Sequence, residues 1–215
     1  MRVIAGEARG RSLLAPKGMG TRPMMDIVKG SLFNMLEAMD VLEGRGLDLF
    51  SGSGSLGIEA LSRGVEAVDF VESDREACKV IHANLERLGL AERGRVIAGS
   101  VDRLVGGTAS ARAGRLAGPY QLVFMDAPYA QKVSQDLLGI LARSSLLAVD
   151  VIISVGHHRH EDLPDELDGL ERVKLRRFGA SCISIYRRKA GTRPHAAPTA
   201  VLRAGSPLPA GSKQD

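Results

Sequence analysis

Apolar positions recur along this chain with two different periods. Leu47-Asp48-Leu49-Phe50, Ala67-Val68-Asp69-Phe70-Val71-Glu72 and Leu122-Val123-Phe124-Met125 are short, β-prone runs suited to buried strands. Between them, apolar residues return every third or fourth position. The pattern predicts a helix from about Met25 to Met39, with Ile27, Val28, Ser31, Leu32, Met35 and Leu36 on its inner face. It then predicts a strand at 47–50, a helix to about Arg63, a strand at 66–72, a helix at 74–88, and strands at 94–98 and 121–126. Residues 103–119 hold a short helix at best. A helix near 132–143, a strand at 149–155 and two runs at 172–178 and 181–187, turned at Gly179-Ala180, complete the series. Helix and strand alternate as in a parallel α/β sheet that closes on an antiparallel hairpin.

Ahead of the first helix, residues 2–14 read as a small hairpin carrying Arg9 and Arg11, and Pro16 to Pro23 as a loop. Gly30 inside the helix points to a close neighbour. Residues 1–23 are thus expected as an extension, 24–189 as the main domain, and 190–215, rich in Pro, Ala and Gly, as a disordered tail.

The 215 residues suffice for one domain with a full core. No apolar run approaches the roughly 18 residues that a membrane helix needs. Without a signal-like apolar start, and with only Cys78 and Cys182, the chain reads as cytoplasmic, its cysteines as packed thiols. The net charge of +4 is unevenly spread: residues 1–29 carry six Lys/Arg against two acids, and residues 172–193 carry eight against none. The intervening 30–171 carry 13 Lys/Arg against 22 Asp/Glu. Basic flanks around an acidic body suit a polyanion such as RNA, with Arg2, Arg9, Arg11, Arg22, Arg176 and Arg177 as its contacts. His157-His158-Arg159-His160 lacks fixed ligand spacing, so it is expected to be a solvated or RNA-facing loop, and no metal site is expected.

Two stretches carry chemistry. In the first, an apolar strand passes through Gly52-Ser53-Gly54-Ser55-Leu56-Gly57 into a helix. Glycines allow positive φ and close backbone approach to a ligand, and the helix start offers free N–H groups. Glu72, at the end of the next strand, stands where a carboxylate accepts both ribose hydroxyl protons. In the second, Asp126-Ala127-Pro128-Tyr129 follows a strand at its carboxyl end, where open α/β sheets bind ligands. A carboxylate, a backbone carbonyl and a ring together suit a planar base bearing an exocyclic amine.

From Met1 to about Lys189 the chain resembles the bacterial 16S ribosomal RNA guanine-N2 methyltransferases of the RsmD type, which use S-adenosylmethionine. The resemblance rests on Arg22-Pro23 leading to Asp26, Val28 and Ser31-Leu32-Phe33-Asn34, on the block Leu47 to Gly64, on Phe70-Val71-Glu72, and on Asp126-Ala127-Pro128-Tyr129. It implies a Rossmann-like class I methyltransferase. Asp48, Phe50, Ser51, Gly52, Gly54 and Gly57 would hold the methionine part of the cofactor, Glu72 the ribose, and Ser100-Val101 the adenine edge. Asp126, Ala127, Pro128 and Tyr129 would hold and activate the guanine. The implied partner is ribosomal RNA or the assembling small subunit, met by a monomer away from any membrane. Met24, Ile27, Gly30, Ser100, Ala127 and Gly156 depart from the family pattern, and Asp102 is a candidate to replace the missing acid at Ser100. A nicotinamide dehydrogenase would share the glycines and Glu72 but not Asp126 to Tyr129. An RNA-binding protein with weakened or lost catalysis, or a methyltransferase acting on another base, would share all of them.

Overall fold

The computed structural model describes residues 1–16, 23–106, 115–127 and 134–191. Arg22, Pro128, Tyr129 and the tail from 192 lie outside them. In chain order the elements are α1 (Pro23–Ala38), β1 (Arg45–Leu49), α2 (Ser55–Ser62), β2 (Ala67–Glu72), α3 (Arg75–Leu88), β3 (Gly94–Ala98) and α4 (Val101–Gly106). They continue with β4 (Tyr120–Met125), α5 (Ser134–Ala142), β5 (Leu147–His158), β6 (Glu166–Leu167), β7 (Leu170–Phe178) and β8 (Ser181–Arg188). The strands form one eight-stranded sheet in the order β3-β2-β1-β4-β5-β8-β7-β6. Pairing from β3 to β5 is parallel, and from β5 through β8 and β7 to β6 it is antiparallel. The βα rhythm of the sequence required the parallel part, because parallel neighbours need a crossover.

The central strands β1, β2 and β4 are covered on both faces, and so they read as nearly continuous apolar runs. Leu47, Leu49, Val71, Val123 and Ile153 face α4 and α5; Val68, Phe70, Leu122, Phe124 and Ile152 face the layer of α1, α2 and α3. Cys78 and Cys182 are both buried thiols, as expected.

Two expectations fail on the inner layer and on β5. On α1, Leu32 and Leu36 are buried on the expected inner face with Val28 and Met35 packed against the core, but Ile27 is 61% exposed and Lys29 and Phe33 are buried as well. An ion pair holds Lys29 inside. Lys29 Nζ lies 3.2 Å from Glu59 Oε2 and donates to the Arg2 carbonyl at 2.7 Å. The expected histidine loop is also corrected: β5 continues through His157 and His158, which pair with Cys182 and Ser181 of β8. His157 is 3% exposed, with Nε2 2.9 Å from Ser184 Oγ, and burial lowers its pKa. Polar residues conceal this end of the strand from a reading by hydropathy.

The N-terminal segment forms a minimal hairpin with one bridge, Arg2 to Ser12. It is fastened to α2 through side chains. Glu59 accepts from Ile4 N (2.8 Å) and Ala5 N (3.0 Å), and Ser62 Oγ accepts from Ala8 N (3.0 Å). Arg63 completes the cluster, with Nε 2.9 Å from Glu59 Oε1 and Nη1 2.7 Å from Glu37. Its guanidinium lies over the Phe33 ring. The neighbour that Gly30 pointed to is Ile4, at an ordinary contact distance of 3.6 Å from where a Cβ would stand.

Candidate active site

The sheet order reverses between β1 and β4, leaving a crevice outside the carboxyl ends of those strands. Three carboxylates converge there: Asp48 from β1, Glu72 from β2 and Asp126 just after β4. Asp48 is buried, and its Oδ2 accepts the Gly57 N–H at 2.9 Å. Burial pushes its pKa up to about 7 against that hydrogen bond, with smaller pushes from Asp126 and Glu72. Asp126 opens to solvent, yet the protein packed around it also raises its pKa. A crevice lined by crowded carboxylates favours a cationic ligand, which would relieve the repulsion.

The turn after β1 is built to bring its backbone into this crevice. Phe50, Gly52 and Gly54 take positive φ values of 59°, 57° and 77°. For Phe50 that conformation is strained, and strain of this kind gathers at functional sites. Gly52 donates its N–H to Glu72 Oε2 at 2.8 Å; Glu72 Oε1 accepts from Ser73 N (2.7 Å) and Asp74 N (2.9 Å). Glu72 is therefore fixed by three backbone donors. Ser51 ties β1 to β2: its hydroxyl donates to the Asp48 carbonyl at 2.7 Å and its N–H to the Val71 carbonyl at 3.2 Å, so that side chain is occupied structurally. Gly57 likewise acts through its neighbours. Its N–H goes to Asp48, and a Cβ there would fall 2.4 Å from Phe70 Cε1, so only glycine lets α2 pack this closely on β2.

Ser100 and Val101 stand beside Glu72, because Gly99 N donates to the Glu72 carbonyl at 2.8 Å. Ser100 is half-buried at the start of α4, whose Leu104 N–H donates to its carbonyl; Asp102 is exposed in the first turn. The buried Ala127 follows Asp126. Sequence reasoning noticed Gly156 but gave it no role; glycine within a strand is the signal of a close approach. A Cβ on Gly156 would fall 2.3 Å from Asp126 Oδ1.

Of the six arginines expected on RNA, Arg22 lies outside the described residues and the other five separate. Arg11 donates to the Arg87 carbonyl in the last turn of α3, and Arg9 follows Ala8, which is held by the last residue of α2. Both helices run back from the crevice, so Arg9 and Arg11 lie toward its remote end. Arg2 pairs with Asp26 at 3.8 Å near the start of α1. Arg176 and Arg177 are exposed on β7, opposite Ile183 and Cys182, which in turn face Gly156 and His157 on β5. That places them at the crevice end. Nearby cations are neutralised by acids, Arg172 by Asp165, Arg187 by Glu171 and Lys189 by Glu166. Among the described residues, Arg176 and Arg177 have no such ion pair.

Among solved structures, an Escherichia coli protein described as "Putative methyltransferase yhhF" superposes with a TM-score of 0.75 at 29% identity, covering 88% of this chain and 98% of that one. Strand order, glycine turn and neighbours together define a Rossmann-like domain of the class I methyltransferases. More narrowly, the chain belongs to the RsmD-type family described as Conserved hypothetical protein 95, whose profile matches residues 1–187. Among its relatives, the Bacillus subtilis protein named "Putative rRNA methyltransferase YlbH" is 37% identical over 189 residues, which are 88% of this chain and all of that protein. Ribosomal RNA small subunit methyltransferase D of Escherichia coli K12 is 30% identical over 190 residues, 88% of this chain and 91% of that protein.

Proposed function

We propose that this protein transfers a methyl group from S-adenosylmethionine to the exocyclic N2 of a guanine in small-subunit ribosomal RNA. The observation that carries the reading is the convergence of Asp48, Glu72 and Asp126 on one crevice of a methyltransferase fold. The relatives named as ribosomal RNA methyltransferases support the substrate class.

The residues present fit the cofactor. Asp48 is a buried carboxylate suited to a cationic ligand, the Gly52–Gly54 turn offers bare backbone, and Glu72 is held ready for ribose hydroxyls. Ser100 and Val101, beside Glu72, would meet the adenine edge. S-adenosylmethionine supplies an electrophilic methyl group on its sulfonium. The remaining work belongs to the substrate side. A guanine amine is a weak nucleophile because its lone pair is conjugated with the ring. Asp126 accepts a hydrogen bond from that amine and takes its proton as the N–C bond forms, while the Ala127 carbonyl holds the second amine proton. With the cofactor bound, the methyl group would pass to N2 and the sulfur would keep the electron pair of the broken bond, with Asp126 holding the released proton. Pro128 would steady the Ala127 carbonyl and Tyr129 would stack on the base. Holding amine and methyl in line contributes several kcal/mol by proximity.

The partner is ribosomal RNA or the assembling small subunit, and the protein acts on it in the cytoplasm as a monomer. No described helix is long and apolar enough to cross a membrane.

Mass spectrometry of ribosomal RNA nucleosides, with and without the protein, tests the reading. N2-methylguanine should appear only with it. Asp126→Ala should slow transfer by at least about 100-fold while S-adenosylmethionine affinity changes little. Transfer by that variant at the parent rate overturns the assignment of Asp126. Cofactor and RNA binding without any methylguanine would identify a catalytically silent RNA-binding protein.

A further inference from the structure

We propose that Gly156 is a positioning residue for Asp126: the missing side chain on β5 creates the seat in which the Asp126 carboxylate lies to meet the substrate amine. The role in transfer rests on the proposed function; the seat itself is a matter of geometry.

β4 and β5 run parallel with Met125 beside Val155, so the next step in register brings Asp126 alongside Gly156. A Cβ on Gly156 would stand 2.3 Å from Asp126 Oδ1, 3.1 Å from Cγ and 3.6 Å from Cβ. No side chain fits there unless the carboxylate moves. The clash is with the outer atoms of a side chain, so Asp126 would swing while the strand stays. The backbone gives glycine no other reason to be here: Gly156 is not among the positive-φ glycines, and it pairs regularly with Ile183 of β8. Glycine weakens a strand interior, and its usual compensation is close approach by another group. Asp126 is that group.

The charges around the seat explain why the β5 side is favourable. Asp48 and Glu72 lie on the other side of Asp126, on β1 and β2. His157 is turned into the opposite layer toward Ser184, and Arg176 follows Ile183 two strands away in the same register row. Leaning on Gly156 therefore takes the Asp126 carboxylate away from two like charges. A methyl group at residue 156 would send it back toward Asp48 or out into solvent, and in either case its surroundings change.

A double-mutant cycle tests this. Gly156→Ala is made in the parent and in the Asp126→Ala background, where no carboxylate remains to clash. In the parent, Gly156→Ala should shift the Asp126 titration, followed by 13C NMR of its carboxyl carbon, by about half a pH unit or more. Transfer kcat should fall by about tenfold or more with the RNA KM and the affinity for S-adenosylhomocysteine changed less than about threefold. In the Asp126→Ala background the same substitution should change neither Tm nor the residual rate. If Gly156→Ala fails to fold while the double variant folds, the clash with Asp126 is confirmed. An unaltered Asp126 titration, equal losses in both backgrounds, or unfolding in both would overturn the proposal. A parent protein that transfers no methyl group would refute the proposed reaction, while titration and Tm would still decide the seat.

Discussion

Gly52 donates its backbone N–H to Glu72 Oε2 at 2.8 Å, so the turn leaving β1 and the carboxylate ending β2 are fixed by one another. Removing the carboxylate should cost both a ribose acceptor and the turn's own anchor. Glu72→Ala is expected to weaken S-adenosylmethionine binding by about 1–3 kcal/mol, and Glu72→Gln by less, because an amide oxygen still accepts from Gly52. Calorimetry measures both. Parent-like affinity in Glu72→Ala would remove Glu72 from the site.

Asp48 should show stability and function in opposition. Its pKa is raised from 3.8 to about 7 in the folded protein, so between those values the folded state binds a proton that the unfolded chain does not. Stability from the neutral form is fully present at the acid end of that window and is lost as pH rises through it. Asp48→Asn, neutral at every pH and still able to accept from Gly57, should be more stable than the parent at pH 8 by about 1–3 kcal/mol. Its pH dependence between 4 and 7 should flatten. The same substitution should weaken S-adenosylmethionine binding, since the cation loses its partner. Denaturant titrations at several pH values, paired with calorimetry, check both halves; a less stable Asp48→Asn at pH 8 contradicts the first.

Arg176 and Arg177 should carry salt-sensitive RNA binding, and the arginines of the remote end should not. Neutralising either β7 arginine is expected to lower the log–log slope of affinity against salt by about 0.7–0.9. Arg9→Ala and Arg11→Ala should leave the slope unchanged. Filter binding to a small-subunit RNA fragment over a range of salt separates them, and equal effects from all four would return the interface to both ends of the molecule.

Glu59 should be the costliest surface-to-core link to break. It is fully buried, accepts from two backbone N–H groups and faces Lys29, whose pKa burial lowers against the pull of that carboxylate. Glu59→Ala leaves a buried ammonium without its partner, for an expected loss of about 3–5 kcal/mol in urea unfolding. A loss below about 1 kcal/mol would show that the N-terminal segment detaches without consequence.

The parallel core was legible because β1, β2 and β4 are buried on both faces and the glycine turn from Gly52 to Gly57 breaks the period. Asp48, Glu72 and Asp126 were legible for a related reason: acidic residues at the ends of apolar runs have few structural explanations. The burial of Lys29 in α1 was hidden, since lysine counts as polar in any pattern although Glu59, far along the chain, makes its burial tolerable. His157 was hidden in the same way by Ser184. Ser51 and Gly57 sit in the motif as expected, yet their polar groups are spent on Asp48 and β2, a distinction that only three-dimensional neighbours reveal. Gly156 carried a signal, but its meaning required knowing which residue lies beside it on β4.

The anchoring of Ile4 and Ala5 on Glu59 spans 55 and 54 residues of chain. During synthesis at about 5–20 residues per second, Ile4 and Ala5 wait about 3–11 s before their acceptor has even been made. Their N–H groups must stay hydrated meanwhile, and α2 has to emerge and turn before the segment can dock. This segment is thus one of the later pieces to settle, and its attachment reports that β1, the glycine turn and α2 are already in place.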